Sequence, residues 1–276
     1  MIIYYENSFG EKLVLNEWPI MIQDPENIFG YTWAYSSNAK KRSVYAFNKQ
    51  MIEKSVVLSV FADSKQEYED VMNRILEITE KDILAETQGR LYVNGSYMNC
   101  CVVASDIKEY EEDFYTCDKT IKLITADGVW IEEYSTAFRY SGIKRDISGR
   151  GYPYGYAYDY TAGAGYTAEL QNIHFGEGDC LITIYGYARN PEIVIGDNIY
   201  RLDYTIQAGE TVYIDTKECK VRLQKKNGIV VNLFRYRDKN NYIFNKIQSG
   251  TQAVYWNGNF DFDVLVRTER GEPRWM

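Results

Sequence analysis

The sequence predicts an α+β first half, an antiparallel sheet with one helix, followed by an all-β sandwich. Three observations carry this. One stripe of apolar residues at helical period occupies 64–82, and turn signals recur from Asn190 onward, most of them about 8 to 18 residues apart. Between those turns lie alternating stretches such as Leu181-Ile182-Thr183-Ile184-Tyr185 and Asp261-Phe262-Asp263-Val264-Leu265-Val266. That spacing is the rhythm of a sandwich or jelly-roll. A chain of 276 residues suits two domains. The predicted division is 1–135, a linker or arm at 136–172, and 173–276.

In the first half, the run SVVLSVF at 55–61 predicts a strand buried on both faces. It leads into the helix, whose stripe is Tyr68, Val71, Met72, Ile75, Leu76 and Thr79. Ser64 and Glu67 form a capping box, and Glu77 and Lys81 are spaced for an i,i+4 pair. Leu91-Tyr92-Val93 then meets Tyr97 through Asn94-Gly95, a pair that favours primed hairpin turns. Runs at 100–104 and 120–125 add strands, and Asp127-Gly128 turns into Val129-Trp130-Ile131. Glu132 and Glu133 end that strand and are expected to face solvent. The acidic stretch Glu109-Tyr110-Glu111-Glu112-Asp113 is expected to be a solvated connection rather than a cation or docking site.

Residues 149–166, GRGYPYGYAYDYTAGAGY, have the most unusual composition in the chain. Tyr152, Tyr154, Tyr156, Tyr158 and Tyr160 alternate with small or polar residues, so an extended backbone would put all five rings on one face. Either the segment is a disordered linker or it is an arm lying on a neighbouring subunit. Five buried rings would gain ~2 kcal/mol each, while ordering each residue costs ~1–2 kcal/mol. Ring burial alone cannot order the segment. It is expected to order only in an assembly, with protease resistance that differs between monomer and assembly.

The second half reads as turns at Asn190-Pro191, Gly196-Asp197-Asn198, Ala208-Gly209, Asn227-Gly228, Asp238 to Asn241, Ser249-Gly250 and Asn257-Gly258. It closes with Phe262-Asp263-Val264, then Glu272-Pro273-Arg274-Trp275. The order of Asn190-Pro191, Ile195-Gly196-Asp197, Ala208-Gly209-Glu210 and this ending resembles the C-terminal half of phage distal tail proteins. The strand, helix and antiparallel strands of the first half resemble their N-terminal belt domain. The resemblance implies an α+β belt and a galectin-like or carbohydrate-module-like sandwich. It also implies a homo-hexameric ring at the tail tip, meeting the tail tube, the tail-tip hub (tail-associated lysin-like) protein and receptor-binding proteins. The interface residues expected for such a ring are the five tyrosines above and Trp275. The last residues are expected to dock back on the belt, so deleting 270–276 should weaken assembly. The alternative function is a carbohydrate-binding adsorption protein, with Tyr185, Tyr187, Tyr200, Tyr204, Tyr255 and Trp256 as candidate stacking rings.

Bulk properties agree with a scaffold. The net charge is −8, which disfavours stable nucleic-acid binding. Six copies would carry 48 formal negative charges, repelling DNA that passes through a ring rather than trapping it. No apolar run suits a membrane span, and MIIYYENSFGEK shows no signal-peptide pattern. Folding and assembly in the host bacterial cytoplasm are therefore expected, with the virion tail tip as destination. The five cysteines lack metal-ligand spacing and are expected to be free and mostly buried. The single histidine, His174, sits in no catalytic motif. Asp261 and Asp263 share a strand face and are the nearest approach to an acid/base pair, yet acids outside and phenylalanines inside is what a one-sided sheet shows anyway. No glycine cluster forms a phosphate loop. No enzyme activity, metal or cofactor is expected.

Overall fold

The computed structural model describes residues 1–111, 115–140, 165–258 and 260–274. The chain forms two compact units, one of Met1–Glu132 with Glu269–Met276, the other of Glu133–Thr268. Nearly all regular structure is antiparallel β.

The first unit begins with β1 (Ile3–Glu6), β2 (Lys12–Val14), β3 (Asn16–Glu17), β4 (Ile20–Gln23) and the short α1 (Glu26–Phe29). It continues with β5 (Ala34–Asn38), β6 (Ser43–Asn48), β7 (Ile52–Phe61), α2 (Lys65–Leu84) and β8 (Gly89–Val93). Then come β9 (Ser96–Glu111), β10 (Thr116–Thr125) and the start of β11 (Trp130–Phe138). β9 pairs with β8 over its first residues and with β10 over the remainder. The Asn94-Gly95 turn is a two-residue hairpin with φ of 49° and 87°, the primed geometry that matches strand twist.

α2 starts at Ser64, whose hydroxyl accepts the Glu67 N–H at 3.2 Å. Glu67 answers on the Asp63 N–H at 2.9 Å. Its inward stripe is Tyr68, Ile75, Ile78, Thr79 and Asp82, whereas Leu76 is exposed. The inward face is therefore turned slightly from the periodicity reading. Lys81 reaches Glu11 at 2.7 Å instead of Glu77 one turn back, because Glu11 also accepts from Asn7 and offers a fixed carboxylate. Those two donors hold the Glu11 carboxyl below its usual range, Lys81 first.

β7 differs from its predicted double burial. Val56, Leu58 and Val60 are buried, Ser55 is exposed, and Val57 and Phe61 are half-covered. On the face of Val57 and Phe61, the buried Ser59 joins Gln23 and Asp118 in a polar cluster, so that face is mixed where the sequence predicts an apolar one. The acids Glu109 and Glu111 lie inside β9 rather than in a loop, while Glu112 and Asp113 fall outside the described residues.

Asp82, fully buried, accepts from the Tyr5 hydroxyl and from the Ser8 N–H at 2.8 Å. Burial, then this hydrogen bond, push the Tyr5 phenol well above its ordinary pKa. Gly89 lies directly against both groups, where an added methyl would collide with the phenol and the carboxylate. Gly89→Ala is expected to lower stability by about 1–3 kcal/mol, measured by denaturant unfolding at constant m-value.

The second unit comprises β12 (Gly165–Asn172), β13 (Asp179–Tyr185), β14 (Ala188–Arg189), β15 (Glu192–Ile195), β16 (Asn198–Arg201) and β17 (Thr205–Ile206). β18 (Thr211–Asp215), β19 (Lys220–Gln224), β20 (Val230–Asn232), β21 (Gly250–Asn257) and β22 (Asp261–Arg270) complete it, β22 running past the unit's end. One sheet runs β20-β19-β18-β13-β22 and the other β12-β21-β15-β16. Ile182, Ile214, Leu223 and Val264 from the first share one core with Leu170, Ile193, Val254 and Trp256 from the second. This is a β-sandwich. The sequence places residues 165–172 within the linker or arm. They form β12, because β21 offers a complete ladder from Gly165↔Asn257 to Asn172↔Gly250 that local composition does not reveal. At the Ile195-Gly196-Asp197 turn, Gly196 has φ 57° and a side chain there would strike Gln252.

Candidate interaction surface

Catalytic candidates are tied up in structure. Asp263 accepts from Arg139 at 2.6 Å and from the Tyr185 hydroxyl at 2.7 Å, and Asp261 accepts the Tyr140 N–H at 2.7 Å. Two carboxylates held by fixed donors are poorly placed to shuttle protons. His174 is buried, with Nδ1 accepting the Gly176 N–H at 3.1 Å and the ring against Phe175. Cys100, Cys117 and Cys180 are buried, Cys101 is half-buried and Cys219 is exposed. Among the described residues, no group of three or more His, Cys, Asp or Glu side chains gathers for a metal ion. Nor is any described helix long and apolar enough to cross a membrane.

Glu132 corrects the expectation of a solvent-facing acid. It is buried within β11, where Arg270 and Arg274 approach its Oε1 at 3.5 and 3.8 Å and the Ser96 hydroxyl at 3.4 Å. Strand alternation turns it inward, and the C-terminal arginines supply the compensating charge. Glu133 accepts from Arg267 Nε at 2.9 Å. Of the candidate stacking rings, Tyr200 and Trp256 are core residues, while Tyr185, Tyr187 and Tyr255 are exposed. Tyr152, Tyr154, Tyr156, Tyr158, Tyr160 and Trp275 all lie outside the described residues.

The surface that stands out belongs to β5 and β6. These strands pair with each other and, among the described residues, with no other strand. An isolated two-stranded hairpin is marginal in water. Tyr35 and Phe47 are direct cross-strand partners, and a bulge between Ser36 and Ser37 leaves Tyr45 unpaired. Their exposures are 65%, 66% and 72%. Val44, Tyr31, Trp33 and Met51 are exposed beside them. Such a concentration of exposed apolar rings marks an interaction site. The tip is Lys40, Lys41 and Arg42, all exposed, with Asn38 Oδ1 accepting the Lys41 N–H at 3.1 Å. With −8 overall, removing three tip cations leaves −11 for the remainder of the chain. A basic tip on an acidic molecule is complementary to another copy of it.

The C-terminal segment braces the base of this hairpin within the first unit. Lys49 pairs with Glu269, and Gly271 lies against the Tyr31 ring, where an added methyl would force the ring to shift. Removing the Glu132 carboxylate takes away the counter-charge facing Arg270 and Arg274, and because both side chains are partly exposed, at 27% and 46%, it should cost only about 0.5–1.5 kcal/mol. Glu132→Ala is therefore expected to speed amide hydrogen exchange over 269–274, with exchange in β13 unchanged.

Sequence reading passed over this hairpin. The available signal was Tyr31, Trp33 and Tyr35 at period two, ahead of the polar turn at 38–42.

No protein-family model matches the chain, and no curated protein matches it. Solved structures do. The crystal structure of the Dit protein of phage SPP1, described as a paradigm of the hub adsorption apparatus in phages infecting Gram-positive hosts, is similar with a TM-score of 0.59 at 8% identity. The match covers 97% of this chain and 100% of that one. A chain of the phage P2 baseplate, in its activated conformation with Ca, is similar with a TM-score of 0.60 at 14% identity, covering 99% and 100%. The same baseplate with Sr gives 0.59 and 14%. Taken over nearly the whole length, the fold is that of phage hub and baseplate proteins. More specifically, the chain resembles a Dit-type distal tail protein.

Proposed function

We propose that this protein is a structural component of a phage, or phage-derived, tail tip, built into a closed ring of six copies that joins the tail tube to the tail-tip hub. The observation that carries the reading is the exposed aromatic hairpin of β5 and β6. It is a donor element whose rings need an acceptor surface, and heterologous contacts of that kind make a ring when the rotation between successive copies closes the circle. In this reading the first unit forms the ring wall, and the basic tip meets the acidic surface of the next copy. The sandwich of the second unit faces outward and docks receptor-binding or other adsorption components. No chemistry is required of it. The similarity in fold to hub and baseplate proteins supports the role, and the anchored C-terminal segment supports the hairpin's position at an interface.

Light scattering coupled to size exclusion tests this directly. Six chains of 32.2 kDa give a particle of about 193 kDa, which should appear as a hollow ring in negative stain. A monomer at every concentration rejects the reading. Deleting 270–276 should loosen the hairpin base and shift the particle towards smaller species.

A second reading, adsorption through the sandwich, is favoured by an open groove in the second unit.

A further inference from the structure

That groove has no task in ring formation. One wall comes from 237–249, thirteen residues between Tyr236 and β21 that contain only two single bridges, Arg237 to Leu202 and Ile247 to Gly178. Loops this long are usually functional when they are ordered. This one is held in a single shape. Ile243, Phe244 and Ile247 are sunk into the sandwich core. Beneath it, the Tyr200 hydroxyl donates to the Asn245 carbonyl and Asn198 Nδ2 to the Lys246 carbonyl, both at 2.8 Å. Asn172 Nδ2 donates to the Ile247 and Gln248 carbonyls at 3.1 and 3.2 Å. Burial raises the Tyr200 phenol far above its ordinary pKa, so it is a permanent donor. Four consecutive backbone carbonyls are thus held by side chains, three of them by the buried Tyr200 and Asn172 and one by the half-buried Asn198, which preorganises the wall.

The cavity between this loop and the side chains of Glu177, Asp179, Asn198 and Lys217 is about 520 Å³, a size that suits small ligands. Its formal charges cancel, Glu177 and Asp179 against Lys217 and Lys246, and Lys246 sits 3.4 Å from Asp179. Neither an anion nor a cation is favoured by that balance. The remaining polar side chains are the Thr216 hydroxyl, the Cys219 thiol and three amides, Asn198, Asn245 and Gln248, which both donate and accept. Asn245 Nδ2 donates to the Tyr242 carbonyl at 2.9 Å and Gln248 Nε2 to Glu177 at 3.3 Å, each amide keeping a second N–H and its oxygen. On the rim stands Tyr242, 62% exposed. Its ring is braced edge-on by Phe244 at 5.7 Å, and Phe244 is stacked on Phe234 at 5.9 Å. A fixed aromatic face beside amides and carboxylates matches one ligand chemistry in particular. A pyranose offers an apolar C–H face for stacking and a rim of hydroxyls that each donate and accept.

We propose that this groove binds a neutral saccharide unit, with Tyr242 as the stacking platform and Asn245 and Gln248 as hydroxyl partners. The site rests on the second reading, adsorption through the sandwich, and is independent of the hairpin, so a failed ring and a failed groove are separate outcomes.

The test is calorimetric titration of the full chain with neutral oligosaccharides of glucose, galactose, rhamnose and N-acetylglucosamine, and with glycerol phosphate as the anionic comparison. At least one neutral glycan should saturate. Tyr242→Ala should weaken that glycan about tenfold or more, corresponding to one lost stacking contact. Tyr242→Phe should stay within about twofold, since the hydroxyl faces Cys219 at 3.7 Å and not the cavity's amides. Both variants should melt with the parent. Absence of binding by every neutral glycan, binding of glycerol phosphate alone, or an affinity indifferent to Tyr242→Ala would each overturn the proposal.

Discussion

Replacing Tyr35, Tyr45 and Phe47 together by Ser is expected to turn the proposed ring into monomers. Light scattering should show a shift from about 193 kDa to the 32.2 kDa of one chain. Burying a ring of this size contributes about 2 kcal/mol, so three rings supply about 6 kcal/mol to each contact. That corresponds to roughly four decades in the association constant. The same substitutions should leave the monomer's thermal unfolding almost unchanged, because all three side chains are about two-thirds exposed or more within the chain. The combination discriminates: loss of the ring with loss of folding would mean that the hairpin serves the first unit's own stability. Reversing the tip with Lys40→Glu, Lys41→Glu and Arg42→Glu should weaken association most at low salt, where charge pairing is least screened.

Phe262→Ala is expected to be the most damaging single substitution in the second unit. Phe262 is fully buried at the centre of a ring cluster, stacked on Phe138 at 4.7 Å, edge-on to Trp256 at 5.3 Å and tilted against Phe260 at 6.0 Å. Truncation removes its transfer free energy and leaves a cavity that the rigid neighbours cannot fill. The expected cost is about 3–5 kcal/mol, a large part of the roughly 5–15 kcal/mol that holds a domain folded. Calorimetry should show the loss as a lower unfolding temperature. Phe262→Leu, which keeps most of the volume, should recover more than half of it. A Phe262→Ala protein that melts with the parent would mean that the ring cluster is not the second unit's core.

The elements that were legible in the sequence are those whose cause is local. The helix over 65–84 announced itself by its Ser64 cap and its period, and the Asn94-Gly95 hairpin by two residues that tolerate positive φ. Gly196 marked its turn for the same reason. Where the sequence reading missed, the deciding partner was distant in the chain. Period places Leu76 inward, yet Leu76 is half exposed and Ile78 takes the buried position. Glu132 looked like a strand-end acid until Arg270 and Arg274, well over a hundred residues on, gave it a buried partner. The strand at 165–172 was hidden among tyrosines and glycines because its ladder is supplied by β21.

The candidate surfaces divide in the same way. The alternation of Tyr31, Trp33 and Tyr35 lay open in the sequence, but nothing local says that β5 and β6 find no third strand. Likewise Tyr242 is one of 26 tyrosines. Only folding brings it beside Glu177, Asp179 and Asn198, residues that lie up to 65 positions earlier. Residues read one after another were enough for the largely antiparallel β character, the turns and the caps, since backbone sterics and periodicity act over a few residues. The tertiary structure decided which aromatic rings are core and which are surface, and which charges are paired. Burial is a property of what packs against a side chain, and long-range pairing alone sets that.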